Sequence, residues 1–309
     1  MGKLSWIAEQ PGRLKQQGIR DGLSASIGEL IRYALGRIEP LDRRGEPVYE
    51  RDWDVLILLD GCRIDLMESV SDEYGFVPES VPAFRSLAST SNTWMDRNFS
   101  DNYSSEVRNT CYVTANPFSD DYVDEARFCD VDEVWQYAWD DELGTVPARS
   151  VTNRTISMAR SRDCDRLIAH YMQPHFPSVP EPLGSSMDLD SFANQWDSVW
   201  DRLISGDIAE DVVWESYREN LRYVLDDVEL LLKNLDAGTV VISADHGNAM
   251  GHWGQYGHPG GVPIAPLRNV PWVETSATDI GSYDPEPEED RESSTTDEVR
   301  SRLKDLGYA

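Results

Sequence analysis

The chain holds only five histidines, His170, His175, His246, His252 and His258, and none lies in the first 169 residues. They fall in two short segments. Histidines kept for packing alone would scatter. His246 follows Asp245 and precedes Gly247, so a carboxylate and an imidazole leave the chain side by side. That donor pair suits Zn²⁺ or Mn²⁺; with more oxygen ligands it suits Ca²⁺ or Mg²⁺. Asp60, followed by Gly61, is a second acid of the same kind. Ser86, Ser89, Thr90, Ser91 and Thr93 crowd one segment and offer nucleophiles. A hydroxyl is a weak nucleophile until coordination lowers its pKa. Ser91 reads as the N-cap of a helix through Trp94, Met95, Asn98 and Phe99, with the helix N-terminus facing an anion. Ser89 and Thr90 are alternative nucleophiles.

Several of these residues sit where strands should end. Val55 to Leu59 is a short apolar run that closes on Asp60, as a buried parallel strand reads. Cys111 to Pro117, Leu167 to His170 and Val240 to Asp245 are further candidate strands. Trp214, Tyr217, Leu221, Val224, Leu225, Val228, Leu231 and Leu232 recur at steps of three and four, which predicts a long helix. Gly238 reads as its stop. Helices alternating with buried strands predict an α/β fold with a mainly parallel central sheet flanked by helices. In such sheets ligands sit outside the carboxyl ends of the strands. Asp60, His170 and Asp245 all fall there.

The net charge is −28, from 56 acidic and 28 basic residues. Nucleic acid is therefore excluded as a partner. So large an acid excess points to a high-salt organism, where the Debye length falls to about 3 Å at 1 M and self-repulsion is screened. The sequence has no run of eighteen apolar residues and no apolar leader after Lys3, so a cytoplasmic location is expected. The four cysteines, Cys62, Cys111, Cys129 and Cys164, form no CxxC pair, and most are expected to be reduced, buried thiols.

Residues 1–45 carry more basic than acidic residues, with Ile27, Leu30, Ile31, Ala34, Leu35 and Ile38 at helical spacing. This arm reads as a helix packed on the domain, or as a peripheral membrane contact. Residues 46–277 form the expected catalytic domain, with 178–213 as an insertion or lid. Residues 278–309 are an acidic flexible tail with a short terminal helix.

The ordered set Asp60-Gly61, hydroxyl cluster, His170-x4-His175, Asp245-His246-Gly247, Gly257-His258 resembles the alkaline phosphatase–sulfatase superfamily, over roughly 53–275. The closing Arg302 to Tyr308 also looks like the tail of sulfatase-like proteins. The resemblance implies that Asp60, Asp245, His246 and a serine hydroxyl hold one divalent metal. It implies that His170 and His258, with His175, complete a second site, or that His175 contacts the substrate and acts as general acid. Arg63 would grip a phosphate oxygen bidentately, or pair with an acid. The sulfatase Cys/Ser-x-Pro-x-Arg signature is absent, which favours phosphate over sulfate chemistry. The activity so implied is hydrolysis or transfer of a phosphate ester or phosphodiester, on a small, lipid-linked or glycan-linked anionic substrate. A sulfatase and a non-catalytic anion- or glycan-binding protein are the alternatives.

Overall fold

The computed structural model describes residue 33 and residues 45–162, 164–183 and 199–285. The expected N-terminal helix (Tyr33 apart), the middle of the 178–213 insertion and the terminal helix lie outside the described residues. Among the described residues no helix is long and apolar enough to cross a membrane.

Among the described residues seven strands form the main sheet: β1 (Val55–Leu59), β2 (Ala83–Arg85), β3 (Thr110–Thr114), β4 (Asp130–Glu133), β5 (Arg166–Tyr171), β6 (Ala237–Ser243) and, after a small hairpin of β7 (Ala249–Met250) and β8 (Tyr256–Gly257), β9 (Asn269–Ala277). Their order is β2-β9-β6-β1-β5-β3-β4. Strand β1 is central and pairs in parallel with β5 and β6, while β3 pairs in parallel with β5 and β4. All five residues of β1 are buried, which is why an unbroken apolar run of β-branched and leucine side chains forms it. Strands β9 and β2 pair antiparallel at one edge. The expected mainly parallel α/β sheet is therefore observed, with an antiparallel edge that the sequence reading left out.

Helices cover the faces. The relevant ones are α1 (Ile64–Glu68), α2 (Ser91–Asn98), α3 (Ala148–Ser161), α4 (Val199–Ser205) and α5 (Glu210–Leu232). Helix α5 buries Val213, Tyr217, Leu221, Val224, Leu225, Val228 and Leu231 on one stripe. Each such side chain stabilises the fold by about 1.5–3 kcal/mol relative to exposure. Gly238 is not the stop of this helix. The helix ends at Leu232, and Gly238 lies inside β6, where the register shifts between Ala237 and Val240.

The cysteines depart from expectation. Cys111 and Cys164 form a disulfide, and only Cys62 is a buried free thiol. Sequence separation hid this pairing. Strands β3 and β5 are neighbours in the sheet, which brings together positions 53 residues apart.

Candidate active site

The parallel strands deliver their polar residues to one sheet end. Asp60 leaves β1, His170 is the last residue but one of β5 and Asp245 follows β6. All three are fully buried, as are His246 and Asn248. The Asp60 Oδ2 atom accepts from Asn116 Nδ2 at 3.0 Å and from Ser91 Oγ at 3.3 Å. The Asp245 Oδ1 atom accepts from the backbone N–H of His246 at 2.9 Å and of Gly61 at 3.2 Å. The other oxygens, Asp60 Oδ1 and Asp245 Oδ2, are buried without a hydrogen-bond partner. Both lie 3.5 Å from His246 Nε2. Asp60, Asp245 and His246 therefore offer three donor atoms to one point.

The imidazole of His246 is set for ligation. Its Nδ1 lies 3.0 Å from the Gly247 carbonyl, so Nδ1 carries the hydrogen and Nε2 keeps its lone pair. Ser91 Oγ lies 3.3 Å from that Nε2. Of the three candidate hydroxyls only Ser91 reaches the acids. Ser89 donates to the Pro259 carbonyl, and Thr90 bonds Asn92 and Thr93. Ser91 is the first residue of α2 rather than its cap; Thr90 holds the extended cap position with φ −150° and ψ 150°.

Two glycines make the approach close enough. A Cβ on Gly247 would stand 2.2 Å from the Pro266 carbonyl oxygen. Gly61 has φ +71°, which disfavours other residues, and a Cβ there would meet Asn248 Nδ2 at 2.8 Å.

Beside the acids lies a histidine group. His175 Nε2 and His258 Nε2 are 2.8 Å apart, and the His246 and His258 rings stack at 4.4 Å. His175 Nδ1 faces the Phe176 carbonyl at 2.6 Å, leaving its Nε2 as the acceptor. Burial, then the neighbouring His246, push His175 down to about 3. Burial, then His246 and His175, hold His258 well below its ordinary value. His170 stands apart from that pair. Its Nδ1 meets Tyr112 Oη at 2.9 Å, and its Nε2 lies 3.6 Å from Asp245 Oδ2. His252 is exposed, and its ring accepts from the Met250 backbone.

Arg63 is brought near but occupied. Its guanidinium donates twice to Asp65 and once to the Asn248 carbonyl, and it lies over the Trp214 ring. Of its two sequence readings, the ion pair is the one observed. Asn116 and Tyr112 were missed. Both follow from β3 lying two strands from β1, an order that no local pattern encodes.

Burial, reinforced by the Asp245 charge, raises Asp60 well above the usual carboxylate range. For Asp245 burial also acts against the charge, but His246, His170 and Ser91 outweigh it and the carboxyl is lowered. Two carboxylates this close and this dry repel each other, so a cation or a proton is needed between them.

No family model and no curated protein matches the sequence. Solved structures do match. The soluble domain of lipooligosaccharide phosphoethanolamine transferase A from Neisseria meningitidis is 13% identical, with a TM-score of 0.51 over 72% of this chain and 76% of that one. The integral membrane protein of the same name from that organism is 13% identical, with a TM-score of 0.50 over 77% of this chain, which spans 50% of its length. The C-terminal periplasmic domain of the phosphoethanolamine transferase from Escherichia coli, solved as a complex with Zn, has a TM-score of 0.45 at 11% identity, covering 85% of this chain and 84% of that one. At these identities the likeness is one of fold alone, and it agrees with the mainly parallel α/β sheet expected from the sequence.

Proposed function

We propose that this chain is a metal-dependent enzyme that transfers or hydrolyses a phosphate ester or phosphodiester through Ser91. The observation that carries the reading is the placement of Ser91 Oγ 3.3 Å from both Asp60 Oδ2 and His246 Nε2, beside two buried carboxylate oxygens that lack partners. The donor set fits a divalent cation. Two carboxylate oxygens, one imidazole nitrogen and a serine oxygen make a four-ligand set of the kind zinc takes. A cation held there would lower the pKa of the serine hydroxyl and offset charge on the transferred group.

The chain's own residues supply the rest. Asp60 Oδ2 accepts the Ser91 hydroxyl hydrogen and so directs a lone pair of Oγ away from the acids. The N-terminus of α2 places the positive end of its dipole beside the attacking oxygen, where a phosphoryl anion would lie. Burial and the neighbouring imidazoles keep His175 and His258 neutral. An anionic ester beside them restores their basicity. One then binds a proton from water and donates it to the leaving oxygen as its bond to phosphorus breaks. The transferases of like fold act, by name, in phosphoethanolamine transfer to lipooligosaccharide, which supports a lipid- or glycan-linked acceptor here. Phosphate is preferred over sulfate because the hydroxyl segment lacks the sulfatase signature.

The test is a trapping experiment. The chain, supplied with zinc or manganese, is incubated with an aryl phosphate ester and, in parallel, an aryl sulfate. Release of the aryl group from the phosphate alone, with phosphoserine mapped to Ser91, is expected. Label on Ser89, Thr90 or Cys62 instead, or turnover of the sulfate alone, would overturn the assignment.

A further inference from the structure

At the far end of the sheet from the acids, a second group of reactive side chains converges. Cys111 is in β3, Cys129 directly precedes β4, and Cys164 lies two residues before β5. The three strands are adjacent, so three cysteines that are 18, 35 and 53 residues apart in sequence meet at one edge. Their sulfurs all lie within 4.8 Å of one another. Cys111 and Cys164 are bonded, while Cys129 Sγ stands 2.7 Å from Cys164 Sγ. Cys129 is therefore in direct contact with one sulfur of the bond. Its own backbone N–H donates to the Thr110 carbonyl at 3.0 Å, which ties this stretch of main chain to the start of β3. Cys129 is exposed, Cys164 half-buried and Cys111 buried. Cys111 and Cys164 also line a cavity of about 250 Å³ with Met158, Arg162, Asp165 and Leu235.

We propose that Cys111, Cys129 and Cys164 form a thiol–disulfide exchange site in which one disulfide migrates between two pairings. The Cys129 thiol loses its proton to water and its sulfur attacks Cys164 Sγ. The Cys129–Cys164 bond forms as the Cys111–Cys164 bond breaks, and the Cys111 sulfur leaves with the electron pair and takes up a proton. One disulfide and one thiol are present before and after, so no oxidant or reductant is consumed. The exchange moves the free thiol from an exposed position to a buried one, where it packs as a small apolar group beside the cavity. It also moves the covalent tie of the segment before β5 from β3 to the segment before β4. An exposed thiol is the form open to capping by small disulfides and oxidants; the buried one is protected.

The experiment uses the whole chain, purified without reductant, with free thiols trapped by iodoacetamide and disulfides mapped by mass spectrometry. Both pairings are expected, and slow alkylation of the native protein divides the label between Cys129 and Cys111 although Cys111 is buried. The C129S variant retains only Cys111–Cys164 and loses the label at Cys111, while C111S pairs Cys129 with Cys164. Should C111S fail to fold, the division of label in the unmodified chain still decides. Quantitative label on Cys129 with none on Cys111, and two unpaired thiols in C111S, would overturn the proposal. So would three reduced cysteines around one bound zinc per chain.

Discussion

The carboxylates of Asp60 and Asp245 each keep one oxygen buried without a hydrogen-bond partner, and both oxygens stand 3.5 Å from the same atom, His246 Nε2. Leaving such groups dry and unpaired costs several kcal/mol per ion. A divalent cation removes that penalty. Adding zinc or manganese at a hundredfold excess over its dissociation constant should stabilise the protein by about 2.7 kcal/mol, read as a higher midpoint in thermal unfolding. Chelation should reverse the gain. Asp245→Asn should abolish the response to metal while raising the stability of the metal-free protein, since it removes the like charge beside Asp60. A metal response that survives Asp245→Asn would place the cation elsewhere.

Ser91 is the hydroxyl that reaches the acids. Ser91→Ala should lower turnover of an aryl phosphate by at least about 10³-fold, as the loss of a nucleophile does. Metal affinity should fall with the lost ligand, while the unfolding midpoint of the metal-free chain stays close to that of the parent. Ser89→Ala and Thr90→Ala change hydrogen bonds to Pro259, Asn92 and Thr93, and should change turnover by less than about tenfold. Steady-state kinetics on the three variants checks the ranking. Equal losses in all three would mean that the segment acts through structure alone.

Much of this site was legible in the sequence because its carriers are buried strands. The run Val55 to Leu59 ends on Asp60, and Val240 to Ser243 leads to Asp245, so burial pattern and chemistry coincide. The spacing of the five histidines marked His246, His175 and His258, which do meet. The misses share a cause. Strand β4, Asp-Val-Asp-Glu, lies at the sheet edge and carries three acids, so it shows no apolar run. The cysteine group, Tyr112 and Asn116 depend on which strands are neighbours, and strand order is a property of tertiary packing. The single-residue error at the α2 cap, Thr90 for Ser91, arose because either hydroxyl fits a cap by type.

Acid should weaken the metal-free protein through the histidine group. Burial, followed by His246, depresses His175 from 6.5 to about 3. Burial also depresses His246 and His258. A histidine depressed in the folded state binds its proton more readily when unfolded. Its contribution is therefore whole above about pH 6.5 and shrinks as the pH falls towards 3. Between pH 6.5 and 5, one such residue takes away about 2 kcal/mol. Urea unfolding of the chelated protein across that window should show the loss, and His175→Gln should reduce it by the share of one residue, leaving that of His246 and His258. A midpoint independent of pH from 7 to 5 would contradict the assigned neutral imidazoles.

Asn116 tests whether the surroundings of Asp60 set its ligand geometry. Its Nδ2 donates to Asp60 Oδ2 at 3.0 Å, and its Oδ1 accepts from the Phe118 backbone at 3.1 Å, so the amide is held at both ends. It thereby occupies one oxygen of Asp60 and leaves Oδ1 to face His246. Residues that orient a ligand in this way typically contribute 10- to 100-fold in metal affinity. Asn116→Ala should weaken zinc binding by roughly that factor, read by calorimetric titration of the metal-free chain. The loss should appear at pH 7 without any change at the Asp245 side of the site, so the double variant with Asp60→Ala should lose little more than Asp60→Ala alone. Full additivity of the two would show that Asn116 supports only the loop after β3, because residues that share one ligand position couple and independent ones add.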